Sequence, residues 1–110
     1  MADYNRYHGS KEKIGITLST TDGTNFVVQS AAVTITGSYY RGTTKTYNEC
    51  VSKAPCTIDN QTNQPSHLIE YLFFCDENKV SSGLNTAEFA ATLSDGQVVV
   101  RSVTINVQRA

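Results

Sequence analysis

The sequence predicts an all-β protein, an antiparallel β-sandwich of about seven strands, and three observations predict it. Apolar and polar residues alternate through most of the chain, the period of a half-buried strand. Clusters of Gly, Asn, Asp and Ser interrupt that alternation at short intervals, where turns are needed. No stretch carries the 3.6-residue period of an amphipathic helix, so helix is expected in under about a tenth of the chain.

The clearest element is Ala87 to Val107, AEFAATLSDGQVVVRSVTINV. Ala87, Phe89, Ala91 and Leu93 share one face of its first arm, with Glu88, Ala90 and Thr92 on the other. Asp95-Gly96 then predicts a two-residue type I′ turn with both residues at positive φ. The return arm ends in Val103, Ile105 and Val107, again alternating. A hairpin with one apolar face is unstable alone in water, so the rest of the chain has to cover it.

Upstream, Ile14, Ile16 and Leu18 predict a strand, Thr21-Asp22-Gly23-Thr24 a turn, and Phe26 and Val28 the start of the return. Ala31 to Tyr39 reads as a long strand with Val33 and Ile35 inward. Gly37 in its middle implies a bulge or a close backbone approach. Thr43 to Tyr47 is a short strand candidate, and Asn48 to Pro65 reads as loop, with a brief strand at Thr57-Ile58. The Asn60-Gln61-Thr62 glycosylation pattern is read as coincidence, since no secretory signal is apparent. In His67 to Cys75 both faces are apolar: Ile69, Tyr71, Phe73 and Cys75 on one, Leu68, Leu72 and Phe74 beside Glu70 on the other. Such a strand is either covered on both sides or turns its second face to a partner.

With 110 residues, one domain is expected: a flexible arm over residues 1–11 and the sandwich over 12–110. The arm carries Tyr4 and Tyr7 without periodicity, and it is either a disordered tail or a segment that docks on another subunit. The net charge of −1 offers no basic footprint for nucleic acid and no polybasic membrane patch. No apolar run reaches the length of a membrane span, so no membrane partner is expected. MADYNRYHGSKEK lacks the apolar core of a signal peptide, so either the protein works in the cytoplasm or a leader has been removed. Three cysteines make no disulfide framework. Cys50 and Cys56 flank a short loop and would close if oxidised; reduced thiols are expected, with Cys75 a small buried hydrophobe.

Catalytic chemistry is not evident. The sequence has no glycine-rich phosphate loop, HExxH, GxSxG or CxxC. His67 at a strand start reads as a surface or capping histidine, and Asp22, Asp59 and Asp95 read as turn formers. Asp76-Glu77-Asn78 is the one acidic cluster, without the glycine-spaced loop of a calcium site. The expectation is a non-enzyme with no cofactor and no metal.

Two blocks carry a family resemblance. ITLSTTDGTNFVVQSAAVTITGSYYRG (Ile16 to Gly42) resembles the opening of small immunoglobulin-like proteins of tailed-bacteriophage virions: a strand, an Asp-Gly turn, a short return and an alanine-valine strand. HLIEYLFFCDENKVSSGLNTAEFAATLSDGQVVVRSVTINV (His67 to Val107) is similar to their closing pattern, and the N-terminal domain of phage baseplate upper proteins is built in the same way. Together the blocks cover about two thirds of the chain, and Cys50–Cys56 stands outside both. The resemblance implies an immunoglobulin-like sandwich and a structural part of a virion, a capsid decoration or a tail- or baseplate-associated subunit assembled in the host cytoplasm. It implies no catalytic residue. Its partners are other virion subunits or further copies of the chain, and the candidate contacts are Tyr4, Tyr7, Tyr39, Tyr40, Leu68, Leu72 and Phe74. The alternative is an extracellular adhesin or carbohydrate-binding module using Tyr39, Tyr40 and Tyr47 as a platform. An enzyme-accessory or inhibitor domain is the third class.

Overall fold

The structure, a computed structural model, describes residues 2–59 and 63–109, apart from the side chains of Tyr40 and Arg41. The Asn60-Gln61-Thr62 pattern lies outside the described residues. Eight strands follow in order: β1 (Tyr4–Tyr7), β2 (Lys11–Ser19), β3 (Val28–Arg41), β4 (Thr44–Pro55), β5 (Thr57–Ile58), β6 (Ser66–Phe74), β7 (Gly83–Leu93) and β8 (Val98–Gln108). They form a five-stranded sheet, β1-β8-β7-β3-β4, and a three-stranded sheet, β2-β6-β5. All pairings are antiparallel except β1 with β8. With β2, β6 and β5 in one sheet, and β8, β7, β3 and β4 consecutive in the other, the strand order is that of an immunoglobulin-like sandwich.

Alternation builds the core between the sheets. Ile14, Ile16 and Leu18 of β2 and Ile69 and Phe73 of β6 face Val33 and Ile35 of β3, Ala87, Phe89 and Ala91 of β7, and Ile105 and Val107 of β8. Burying Phe73 and Phe89 completely removes the largest apolar surfaces from water, the main driving force of folding. The molecule extends 49 × 26 × 24 Å, its length set by β3 and β4 running side by side.

Several expectations are corrected. The N-terminal arm contains a four-residue strand: Tyr4–Tyr7 pairs with Ile105–Gln108, Tyr4 and Arg6 half-buried, Asn5 and Tyr7 exposed. Its alternation is masked because the inward residues are Tyr and Arg, which bury a body or stem and keep a polar end. The expected loop from Asn48 is strand as far as Pro55. There, register shifts opposite Val33, Ile35 and Thr36, and a positive φ of 47° at Lys53, break the two-residue period that sequence reading depends on. The hairpin turn is not type I′: Gly96 has φ 89°, Asp95 does not have positive φ, and the Gly96 N–H donates to the Leu93 carbonyl at 3.0 Å. A type I turn followed by left-handed Gly96 makes a three-residue connection instead. His67 is not on the surface. It is fully buried, its Nε2 2.7 Å from the Phe26 carbonyl oxygen and its ring edge-on to Phe26 at 4.6 Å.

Candidate functional site

The alternation that turns Ile69 and Phe73 inward leaves Leu68, Leu72 and Phe74 on the solvent face of β6, 37%, 49% and 51% exposed. β6 is central in its sheet, yet nothing among the described residues covers that face. On the neighbouring β2, Thr17 lies opposite Leu68, Lys13 opposite Leu72 and Lys11 opposite Phe74. Lys13 Nζ also reaches Glu70 Oε1 at 3.9 Å. The result is a flat apolar row with lysine on one flank, the composition of an interface core and its polar rim. Three of the sequence-derived contact residues are thus contiguous on one surface.

The tyrosines do not join them. Tyr4 is half-buried, and its hydroxyl is hydrogen-bonded at 3.1 Å to both the amide and the carbonyl of Gly15. Arg6 lies over its ring at 4.9 Å. Arg6 Nε is 2.9 Å from Glu12 Oε2, an ion pair without hydrogen-bond alignment, and Nη2 donates to the Lys13 carbonyl at 3.2 Å. Tyr7 is exposed on the opposite side of the same strand. Docking through a free arm bearing both tyrosines is therefore corrected: Tyr4 is committed to the fold.

The proposed tyrosine platform is also divided. Tyr39 lines a hollow of about 620 Å³ with His8, Glu77, Asn78, Ser81 and Arg109. Tyr47 lies on the outer face of the five-stranded sheet with Thr34, Thr36 and Leu84, its ring 5.7 Å from Lys45 Nζ. Successive strand residues face opposite sides, and register places Tyr47 beside Ser38 rather than Tyr39. The Tyr40 side chain lies outside the described residues.

The cysteines are free thiols, Cys50 and Cys56 partly buried and Cys75 fully buried. Burial raises all three, Cys56 to about 11, so they are poor nucleophiles at neutral pH. Among the described residues no group of three His, Cys, Asp or Glu is placed to hold a metal, and no helix is long and apolar enough to cross a membrane.

One feature escaped sequence reading. β1 covers the edge of β8 from Ile105 to Gln108, and among the described residues no strand covers 98–103, where Val98 is 60% and Val100 47% exposed. The run Val98-Val99-Val100 signals a strand apolar on both faces, as in β6, but only the sheet order shows that it borders solvent. Comparison with protein-family models, with curated proteins and with solved structures finds no match.

Proposed function

We propose that the protein is a non-catalytic structural subunit that acts through protein–protein contacts, specifically a part of a tailed-phage virion, on the capsid or on the tail and baseplate. The observation that carries the reading is the Leu68–Leu72–Phe74 row, open to solvent on a central strand. Large apolar side chains on a covered face would be core; on an open face they are an unused contact. The row is preorganised by the ladder to β2, so a partner meets a rigid surface and little ordering entropy is lost. The virion assignment rests on the resemblance of Ile16–Gly42 and His67–Val107 to immunoglobulin-like virion proteins.

The experiment combines localisation with substitution. Antibody raised against the purified chain is expected to label intact particles, and the L72K/F74K double variant is expected to fold normally but to be lost from them. Purified particles that lack the chain would overturn the virion assignment. Normal incorporation of the double variant would overturn the contact surface.

A second reading, a carbohydrate-binding module, draws on the hollow at Tyr39, where an aromatic ring adjoins Asn78, Ser81, Glu77 and Arg109. A glycan-array signal abolished by Tyr39→Ala, with the row variants unaffected, would favour it over the structural role.

A further inference from the structure

The free half of β8 has a pattern that fits one partner. In the ladder with β7, odd-numbered residues turn their backbone groups to β7: Ala87 pairs with Val103, Phe89 with Arg101, Ala91 with Val99. Even-numbered residues turn theirs to the open side, as Thr104 shows by donating its N–H to Asp3 Oδ2 at 2.9 Å and Gln108 by accepting from His8 N–H at 2.8 Å. Among the described residues, no strand pairs with the outward donors and acceptors of Val98, Val100 and Ser102. Arg101 Nη1 reaches the Val100 carbonyl at 2.9 Å, a charged side chain folded over an otherwise bare edge.

We infer that this half-edge pairs antiparallel with the same half-edge of a second copy of the chain, about a two-fold axis at Val100. In that register Val98 meets the second copy's Ser102, Val100 meets Val100, and Ser102 meets Val98. All three outward rungs find partners at once, giving six backbone hydrogen bonds; the Arg101 guanidinium swings off the Val100 carbonyl to admit them. Sliding the axis toward Thr104 spends a rung on a residue that Asp3 already occupies, and sliding it the other way runs into the turn at Gly96. Self-complementarity is the argument for a second copy: a two-fold contact needs one patch that matches itself, and this row does.

The side chains agree. On the outer face Val100 lies beside Ala90, which lies beside Ala32, so pairing at Val100 joins two small apolar rows into one across the axis. On the inner face Arg101 meets Val99 of the second copy rather than its own equivalent, keeping the two cations off a directly opposed pair. This edge also borders a cleft between the sheets lined by Leu18, Phe26, Leu93 and Val99, which a second copy would close. The contact uses a surface other than the Leu68–Phe74 row and does not depend on the virion assignment.

The test is sedimentation velocity with light scattering on the full chain, from low to high micromolar concentration. Wild type is expected to approach twice its 12.0 kDa mass as concentration rises. Val100→Pro removes an outward N–H that β7 does not use, and Val100→Lys opposes two cations across the axis. Each is expected to raise the dimer dissociation constant by about tenfold or more, with the far-UV spectrum unchanged for Val100→Lys, which alters only an exposed side chain. Hydrogen exchange at Val98, Val100 and Ser102 should slow with concentration in wild type alone. A wild type that stays monomeric at high micromolar concentration would overturn the inference. So would a dimer that both Val100 variants leave intact, or one that L72K/F74K abolishes in their place.

Discussion

The Tyr4 hydroxyl accepts a hydrogen bond from the Gly15 N–H and donates one to the Gly15 carbonyl, each at 3.1 Å. Tyr4 belongs to the five-stranded sheet and Gly15 to the three-stranded one, so one side chain clasps the two layers at an edge where no backbone ladder joins them. Removing the hydroxyl in Tyr4→Phe leaves two part-buried backbone groups without that partner. The expected cost is about 1–2 kcal/mol, read as a lower urea midpoint with unchanged slope.

Deleting residues 2–8 should cost more than Tyr4→Phe, because it also strips β1 from β8 and the Arg6–Glu12 pair from the edge. A fall in melting temperature of several degrees is expected. A truncated chain as stable as the full one would return the segment to the status of a free arm.

Gly37 lies where a methyl group would overlap the Asn85 side-chain oxygen. Asn85 is buried, and its Nδ2 donates to the Ser81 carbonyl at 2.9 Å and the Gly83 carbonyl at 3.3 Å, tying down the approach to β7. Gly37→Ala is expected to destabilise by about 1–3 kcal/mol through overpacking. The measurement is a double-mutant cycle by chemical denaturation. The cost of Gly37→Ala should shrink in an Asn85→Ala background; strict additivity would place the clash elsewhere.

Cys56 is raised from 9.0 to about 11 by burial, so its thiolate fraction at pH 8 is roughly a hundredfold below that of a free thiol. Alkylation at pH 8 should therefore be slow in the native protein and fast in urea. The same shift sets a stability window. The buried neutral thiol contributes its stability below pH 9, and that contribution is lost as pH rises from 9 towards 11, where the unfolded thiol ionises first. Cys50 and Cys75, raised chiefly by burial as well, act in the same direction. A melting temperature flat across that range would contradict this.

Phe89 carries the centre of the five-stranded sheet, so Phe89→Ala should cost about 3–5 kcal/mol, while Val98→Thr on the open edge should stay within about 0.5 kcal/mol. Thermal denaturation of the two variants gives the contrast.

The alternating stretches were legible because a sheet with one wet face writes its burial into every second residue. Phe89, Ala91, Ile105 and Val107 face inward as read, as do Ile14 and Ile16, and in β6 Ile69 and Phe73 lie inward with Leu68, Leu72 and Phe74 outward as read, whereas His67 is buried against the reading. Of the candidate contacts, Leu68, Leu72 and Phe74 stood out for the same reason: they are large apolar side chains on the face that should be polar. β1 and the middle of β4 were not legible, because in them tyrosine, arginine, asparagine and cysteine stand at inward positions and bulges shift the phase.

By itself the sequence determined the class of structure and the facing of its residues, since both follow from local periodicity and turn chemistry. Tertiary structure decided what no local pattern encodes, namely which strand lies beside which. Sheet order buries His67 against Phe26, draws Tyr4 onto Gly15, separates Tyr39 from Tyr47, and, among the described residues, leaves half of β8 without a strand on its outer side. An edge is a property of the whole ladder: no local pattern marks it, and among the described residues Val98, Val100 and Ser102 are an open pairing surface because β1 meets β8 only from Ile105 onward.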